Sequence, residues 1–173
     1  MKKLINGAQM KMIDTYSIQE VGIPSLVLME RAALCVTEAV LEKIKKTDKV
    51  LCVCGSGNNG ADGMAVARQL TERGISAEVY TTAEEGKGTE ELNRQRAILQ
   101  KLGIVFVNDI PAGEYNCIID AVFGIGLSRT ITGRYEQIIA KINAAKDTGS
   151  LIVAVDTPSG INAGDGQVMG CAV

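Results

Sequence analysis

The sequence contains no histidine. That removes the imidazole from any Ser-His-Asp or Cys-His arrangement, so proton transfer must fall to Asp, Glu, Lys, Tyr or Cys. Cysteine is present without pattern: Cys35, Cys52, Cys54, Cys117 and Cys171 form no C-x-x-C pair. With neither that spacing nor histidine, a zinc site of the usual kind is excluded. The cysteines read instead as buried free thiols in a reducing compartment. No apolar run approaches the roughly 20 residues that span a bilayer. The N-terminal stretch MKKLINGAQMKMID has lysines but no continuous apolar segment, so it does not read as a signal peptide. A surplus of one charge is also missing. The formal net charge is -2 and the Lys and Arg residues are scattered, which leaves no footprint for nucleic acid or an anionic membrane. The expectation is a soluble cytoplasmic protein. Its 173 residues suffice for one domain with a sizeable core, and its 46% hydrophobic and 22% charged residues are ordinary for a globular chain.

What is present is a regular alternation punctuated by glycine. GAQMKMIDTYSIQEVG sets Ala8, Met12, Ile13 and Tyr16 at helical spacing and stops at Gly22, with Pro24 just beyond. Ser25 then stands as a cap for LVLMERAALCVTEAVLEKIKK. In that helix Met29, Ala33, Val36 and Val40 form one apolar stripe, and Leu28, Ala32, Cys35 and Ala39 form another. A helix apolar on two faces should be covered on both, by the core and by either a second subunit or the N-terminal helix.

From Lys49 the period changes. Val50 to Cys54 is continuously apolar, as expected of a parallel strand covered on both faces. Helix DGMAVARQLTERG, strand ISAEVYTT, helix GTEELNRQRAILQKLG, strands IVFV and NCIIDAVFG, helix YEQIIAKINAAKDTG and strand LIVAVDTPSG follow in turn. This order predicts an α/β fold with a mainly parallel sheet and right-handed crossovers. The final GDGQVMGCAV offers at most a short strand and no closing helix. An uncovered sheet edge would follow, and with it the expectation of a fragment or of a chain that continues into more strands.

Ligands of open α/β sheets bind at the carboxyl ends of the strands, near the switch in strand order. Three polar clusters stand at such ends: Asn58, Asn59 and Asp62; Asp120 with AVFGIGLSR; and Asp156 with TPSG. The first lies in GSGNNGADG, a G-x-G-x-x-G match at Gly55, Gly57 and Gly60 of the kind that cradles a pyrophosphate. Each aspartate has a plain structural use, either at a helix terminus or in a turn. Together, three carboxylates beside a phosphate loop would repel the ligand unless a cation offsets them. Asn59, Asp120 and Ser159 supply the oxygens a hard cation prefers. With one of these ligands charged, K+ suits the set as well as Mg2+. A conventional NAD site also wants an acid at the end of the second strand. Here that strand ends in Thr81 and Thr82, which argues against a standard nicotinamide dehydrogenase.

GSGNNGADGMAVAR, IIDAVFGIGLSR and VDTPSGINAGDG, with MERAA near the N-terminus, resemble the YjeF N-terminal domain, the NAD(P)HX epimerase family. The N-N-G-x-D-G and D-x-P-S-G motifs carry more of this than the glycine triplet. The resemblance implies a Rossmann-like three-layer α/β/α fold, with residues 1–173 a single domain lacking its last strands or a piece of a longer bifunctional chain. It implies an isomerase of nicotinamide nucleotide repair, exchanging the R and S epimers of hydrated NADH or NADPH at C6 of the nicotinamide ring. A dehydratase, fused or separate, would then act on the S form. It implies bound K+ on Asn59, Asp120 and Ser159. Substrate contacts map onto Asn58, Asn59, Gly60, Ala61 and Asp62, onto Gly124, Ile125, Gly126, Leu127, Ser128, Arg129 and Thr130, and onto Tyr135 and Asp156. The family also includes scaffold members, so a non-catalytic nucleotide-binding scaffold is the alternative. The intact Asn59, Asp120, Asp156 and Ser159 set argues against it.

The chemistry asks for a general acid that protonates the C6 hydroxyl and a base that returns water to the opposite face. One carboxyl serves both steps if neighbouring acids raise its pKa. Asp156 is the residue expected to do so, with Asp120 kept ionised by the cation.

Overall fold

The computed structural model describes residues 5–173. Helices α1 (Gly7–Gln19) and α2 (Ser25–Leu41) precede strand β1 (Lys49–Cys54). Helix α3 (Asn58–Glu72), strand β2 (Ser76–Thr81), helix α4 (Glu90–Lys101) and the short strand β3 (Phe106–Val107) complete one half of the fold. Strand β4 (Cys117–Ala121), helix α5 (Arg134–Asp147) and strand β5 (Leu151–Ala154) make the other. The strands form one parallel sheet in the order β3-β2-β1-β4-β5. This is the Rossmann-like order, in which the chain reverses direction across the sheet between β1 and β4.

The two continuously apolar strands lie at the centre. Val50 to Cys54 of β1 and every residue of β4 are buried, because helices cover both faces. On one face α2, α3 and α4 contribute Met29, Ala33, Val40, Met64, Leu70, Leu92 and Leu99. On the other, α5 packs Ile138, Ile142 and Ala145 against Leu51, Val53 and Ile118. The result is a three-layer α/β/α sandwich. The MERAA motif has a structural use in it: Glu30 binds Arg68 and accepts from Gln69 Nε2 at 3.0 Å and Gln95 Nε2 at 3.4 Å. Burial opposes ionisation of Glu30, but the Arg68 and Gln69 hydrogen bonds and the Arg68 charge hold its carboxyl below the usual range.

Several expectations are corrected. Ser25 is the first helical residue of α2, not its cap; its hydroxyl donates to Glu91 Oε1 of α4 at 2.9 Å. Of the expected strand IVFV, Phe106 and Val107 are strand and Val105 adds its carbonyl, which accepts from Val79 N–H at 3.0 Å, whereas Ile104 N–H bonds the Leu99 carbonyl and closes the last turn of α4. Helix α1 buries none of its residues, so it does not cover the second stripe of α2; Ala32, Cys35 and Ala39 are exposed and Leu28 is half-buried. Cys52, Cys54 and Cys117 are buried thiols that burial pushes up in pKa, but Cys35 is exposed. The final segment forms only an antiparallel bridge, Ile161 with Val168, and folds back so that Val173 N–H reaches the Ser159 carbonyl.

Candidate active site

The loop after β1 is helical sooner than its composition suggests. Gly57 is the N-cap, and α3 begins at Asn58, so Asn58, Asn59, Gly60, Ala61 and Asp62 lie in its first turns. Asp62 is consequently past the first turn and does not serve the helix dipole as expected. Glycines permit this compaction. A Cβ on Gly60 would stand 2.0 Å from the Gly55 carbonyl oxygen, and one on Gly55 would stand 2.0 Å from that of Val122. Gly63 lets α3 rest on the sheet, since a Cβ there would meet Ala121 Cβ at 2.4 Å. Gly57 has no such neighbour within 4 Å, leaving its backbone open to a ligand.

The expected polar residues gather at the reversal between β1 and β4, around Phe123 and Gly124. Asp120 is fully buried, with Oδ2 accepting from Ser159 N–H at 2.7 Å and Oδ1 from the Ser159 hydroxyl at 2.5 Å. Burial pushes its carboxyl up; the hydrogen bonds from Ser159 and from Val122 N–H oppose that shift. Ser159 Oγ also accepts from Phe123 N–H at 2.8 Å. Asp156 is exposed at the end of β5, and its Oδ2 accepts from Ile125 N–H at 2.8 Å. Gly124 sits between Asp156 and Asn59: a Cβ on it would lie 2.7 Å from Asp156 Oδ2 and 3.3 Å from Asn59 Cγ.

Both polar atoms of the Asn59 side chain are buried without a hydrogen-bond partner. A buried amide so placed is unfavourable unless a ligand or ion completes it. With the buried Asp120 carboxylate and the Ser159 hydroxyl beside Phe123, the donor set fits a hard cation of low charge. Among the described residues no group of three or more His, Cys, Asp or Glu side chains stands together, so the set depends on neutral oxygens.

The carboxyl most displaced toward neutrality is Asp62. Burial, the Asp156 charge and the Asp14 charge raise it from 3.8 to about 7. Asp14 comes from α1, whose first residue, Gly7, lies against Ile125. Beside these groups a cavity of about 240 Å³ is lined by Phe123, Leu127, Arg129, Thr130 and Tyr135, with Ile131 and Thr132. The Phe123 and Tyr135 rings stand 4.9 Å apart at a tilt of 50°. Leu127 is buried, whereas Gly126, Ser128, Arg129 and Thr130 are exposed. Sequence reasoning missed the backbone donors of Phe123 and Ile125 and the apolar lining from Phe123 and Ile131. Main-chain donors leave no trace in residue type, so no motif marks them.

Residues 25–173 match the family described as YjeF-related protein N-terminus. The chain belongs to this family. A relative from Limosilactobacillus fermentum named NAD(P)H-hydrate epimerase is 42% identical over 174 residues, covering 99% of this YjeF-related chain and 82% of the relative. One of the same name from Oenococcus oeni is 42% identical, covering 98% of the chain and 80% of the relative. The crystal structure of yeast ynu0 superposes with a TM-score of 0.86 at 23% identity, covering 99% of this chain and 77% of that one. At that identity the likeness speaks for the fold.

Proposed function

We infer that this chain is an NAD(P)H-hydrate epimerase, exchanging the R and S forms of hydrated NADH or NADPH at C6 of the nicotinamide ring. The observation that carries this is the meeting of Asn59, Asp120, Asp156 and Ser159 at Phe123 and Gly124, at the sheet's reversal and beside an open Gly57 backbone. The names of the relatives agree with it. In this reading Asp156, exposed and accepting from Ile125 N–H, is the acid that protonates the C6 hydroxyl. Water then departs as the ring nitrogen lone pair stabilises the cationic carbon. The Asp156 carboxylate next takes a proton from a water adding to the opposite face, which restores the carboxyl and completes the exchange. Beside it Asp62, raised to about 7 first by burial and then by the Asp156 and Asp14 charges, is a carboxyl that holds a proton near neutral pH. Asn59, Asp120 and Ser159 would hold K+, which supplies positive charge next to the substrate's phosphates when bound. The contacts of Asn58 to Asp62, Gly124 to Thr130 and Tyr135 belong to the same proposal.

Incubating the protein with pure R epimer and K+ should yield the S form, separated by chiral chromatography, faster than in buffer. Asp156→Asn should retain substrate binding yet slow the exchange by about 100-fold or more. Unchanged exchange in that variant would remove Asp156 from the mechanism.

No helix among the described residues is long and apolar enough to cross a membrane. Free cysteines support a reducing, cytoplasmic setting. The S epimer needs a consumer, and a dehydratase, fused or separate, is the partner this reading requires. A homodimer is supported by the apolar side chains that α1 and α2 leave exposed, among them Met12 at 71%, Tyr16 at 62% and Val27 at 55%.

A further inference from the structure

The carboxyl end of β2 carries a polar cluster that the proton transfer does not use. In a sheet of this order the adenosine ribose of a dinucleotide lies over that end. An acid there takes the 2′-hydroxyl of NAD, and an arginine accommodates the 2′-phosphate of NADP. Here β2 ends on Thr81, followed by Thr82, so the acid is missing. An arginine arrives from across the sheet instead. Arg134, the exposed first residue of α5, donates to the Thr82 carbonyl at 3.3 Å and to the Tyr80 hydroxyl at 3.5 Å. A guanidinium has more N–H donors than these two contacts use. Among the described residues Arg134 forms no ion pair.

Two further observations mark the same spot. Thr82 is only 7% exposed, yet its hydroxyl has no hydrogen-bond partner. Arg96 of α4, also 7% exposed, reaches the other side of the strand end, donating to the Ala83 carbonyl at 2.7 Å and to Thr81 Oγ1 at 3.4 Å. Its Nε is unpartnered, and no carboxylate balances it among the described residues. A buried guanidinium without a counter-anion is unfavourable and disposes the site toward one. The competing charge is acidic: Glu84 and Glu85 follow in the exposed loop, and Glu84 is near enough to act on Arg134. A carboxylate such as Glu84 suits a ribose hydroxyl. Two arginines that reach residues 80–83 and the unpaired Thr82 hydroxyl fit a phosphate better.

We propose that the end of β2 is a 2′-phosphate subsite in which Arg134 binds the phosphate and Thr82 adds a hydroxyl, so that hydrated NADPH is preferred over hydrated NADH. The choice of substrate rests on the epimerase reading; the anion preference rests on these residues alone. The test pairs binding with exchange. By calorimetry the protein should bind 2′-phospho-ADP-ribose more tightly than ADP-ribose. Arg134→Ala should weaken the former by roughly tenfold to a hundredfold and leave the latter within about twofold. Arg134→Lys should retain part of the preference, and the KM for each hydrate should follow the same order. Equal affinity for both probes, or no affinity for either, overturns the subsite. So does a preference that survives Arg134→Ala, or one in which Glu84→Gln selectively weakens ADP-ribose. Preference for the phosphorylated probe without exchange of either hydrate upholds the subsite and defeats the epimerase reading. Equal exchange of both hydrates, untouched by Arg134→Ala, does the reverse.

Discussion

Asp62 is five residues into a buried helix and faces the charges of Asp156 and Asp14. Its carboxyl is raised from 3.8 to about 7, first by burial and then by those like charges. The folded state holds the proton more tightly than the unfolded state, so stability falls as pH rises through this window. Replacing the ionisable group should remove that loss. Without added potassium, Asp62→Asn should melt at a higher temperature than the parent at pH 8, and the difference should vanish below the unfolded value of 3.8. A difference independent of pH would show that the substitution acts by packing instead. The residue itself was conspicuous in the sequence as an acid in a phosphate loop. Its shift was not, because Asp14 lies 48 positions away and meets it only through α1.

At the scale of the element, α3 holds glycines with opposite duties. Gly63 sets the distance between helix and sheet, since a Cβ there would stand 2.4 Å from Ala121 Cβ and 3.0 Å from Cys54 Sγ. Gly57 caps the helix with φ at −101° and open space where a Cβ would go. Gly63→Ala should therefore cost about 1–3 kcal/mol of stability through overpacking. Gly57→Ala should leave the denaturant midpoint nearly unchanged while weakening ADP-ribose binding, because its methyl group obstructs approach to the backbone. Calorimetry and urea melts on the two variants separate these effects; equal stability losses would contradict the assignment. The glycine triplet was legible as a pattern. That α3 starts at Asn58 rather than Asp62 was not, because early helix formation depends on Gly55, Gly60 and Val122 meeting across the sheet.

At the scale of the molecule, α1 and α2 leave large apolar side chains exposed. Helix α1 contributes Met12, Ile13 and Tyr16 to solvent, and α2 contributes Val27. Two copies joined through these helices should sediment as a dimer. Met12→Asp with Val27→Asp should yield a monomer whose melting temperature is no longer concentration-dependent. A parent protein that sediments as a monomer at micromolar concentration defeats the homodimer.

The sequence by itself determined the alternating α/β order, the buried central strands and the three carboxylate-bearing strand ends. Those follow from local periodicity and from glycine and proline punctuation, which act over a few residues at a time. Its resemblance to the YjeF N-terminal domain also stood in short contiguous motifs. Only the tertiary structure decided that the order is β3-β2-β1-β4-β5, and hence which ends face one another. It also decided that Asn59 is buried without a partner, that Ile125 orients Asp156, and that Arg134 reaches Thr82. Each of these joins residues far apart in the chain through backbone groups or through exclusion of water. Such contacts arise when elements pack, and no single segment encodes them.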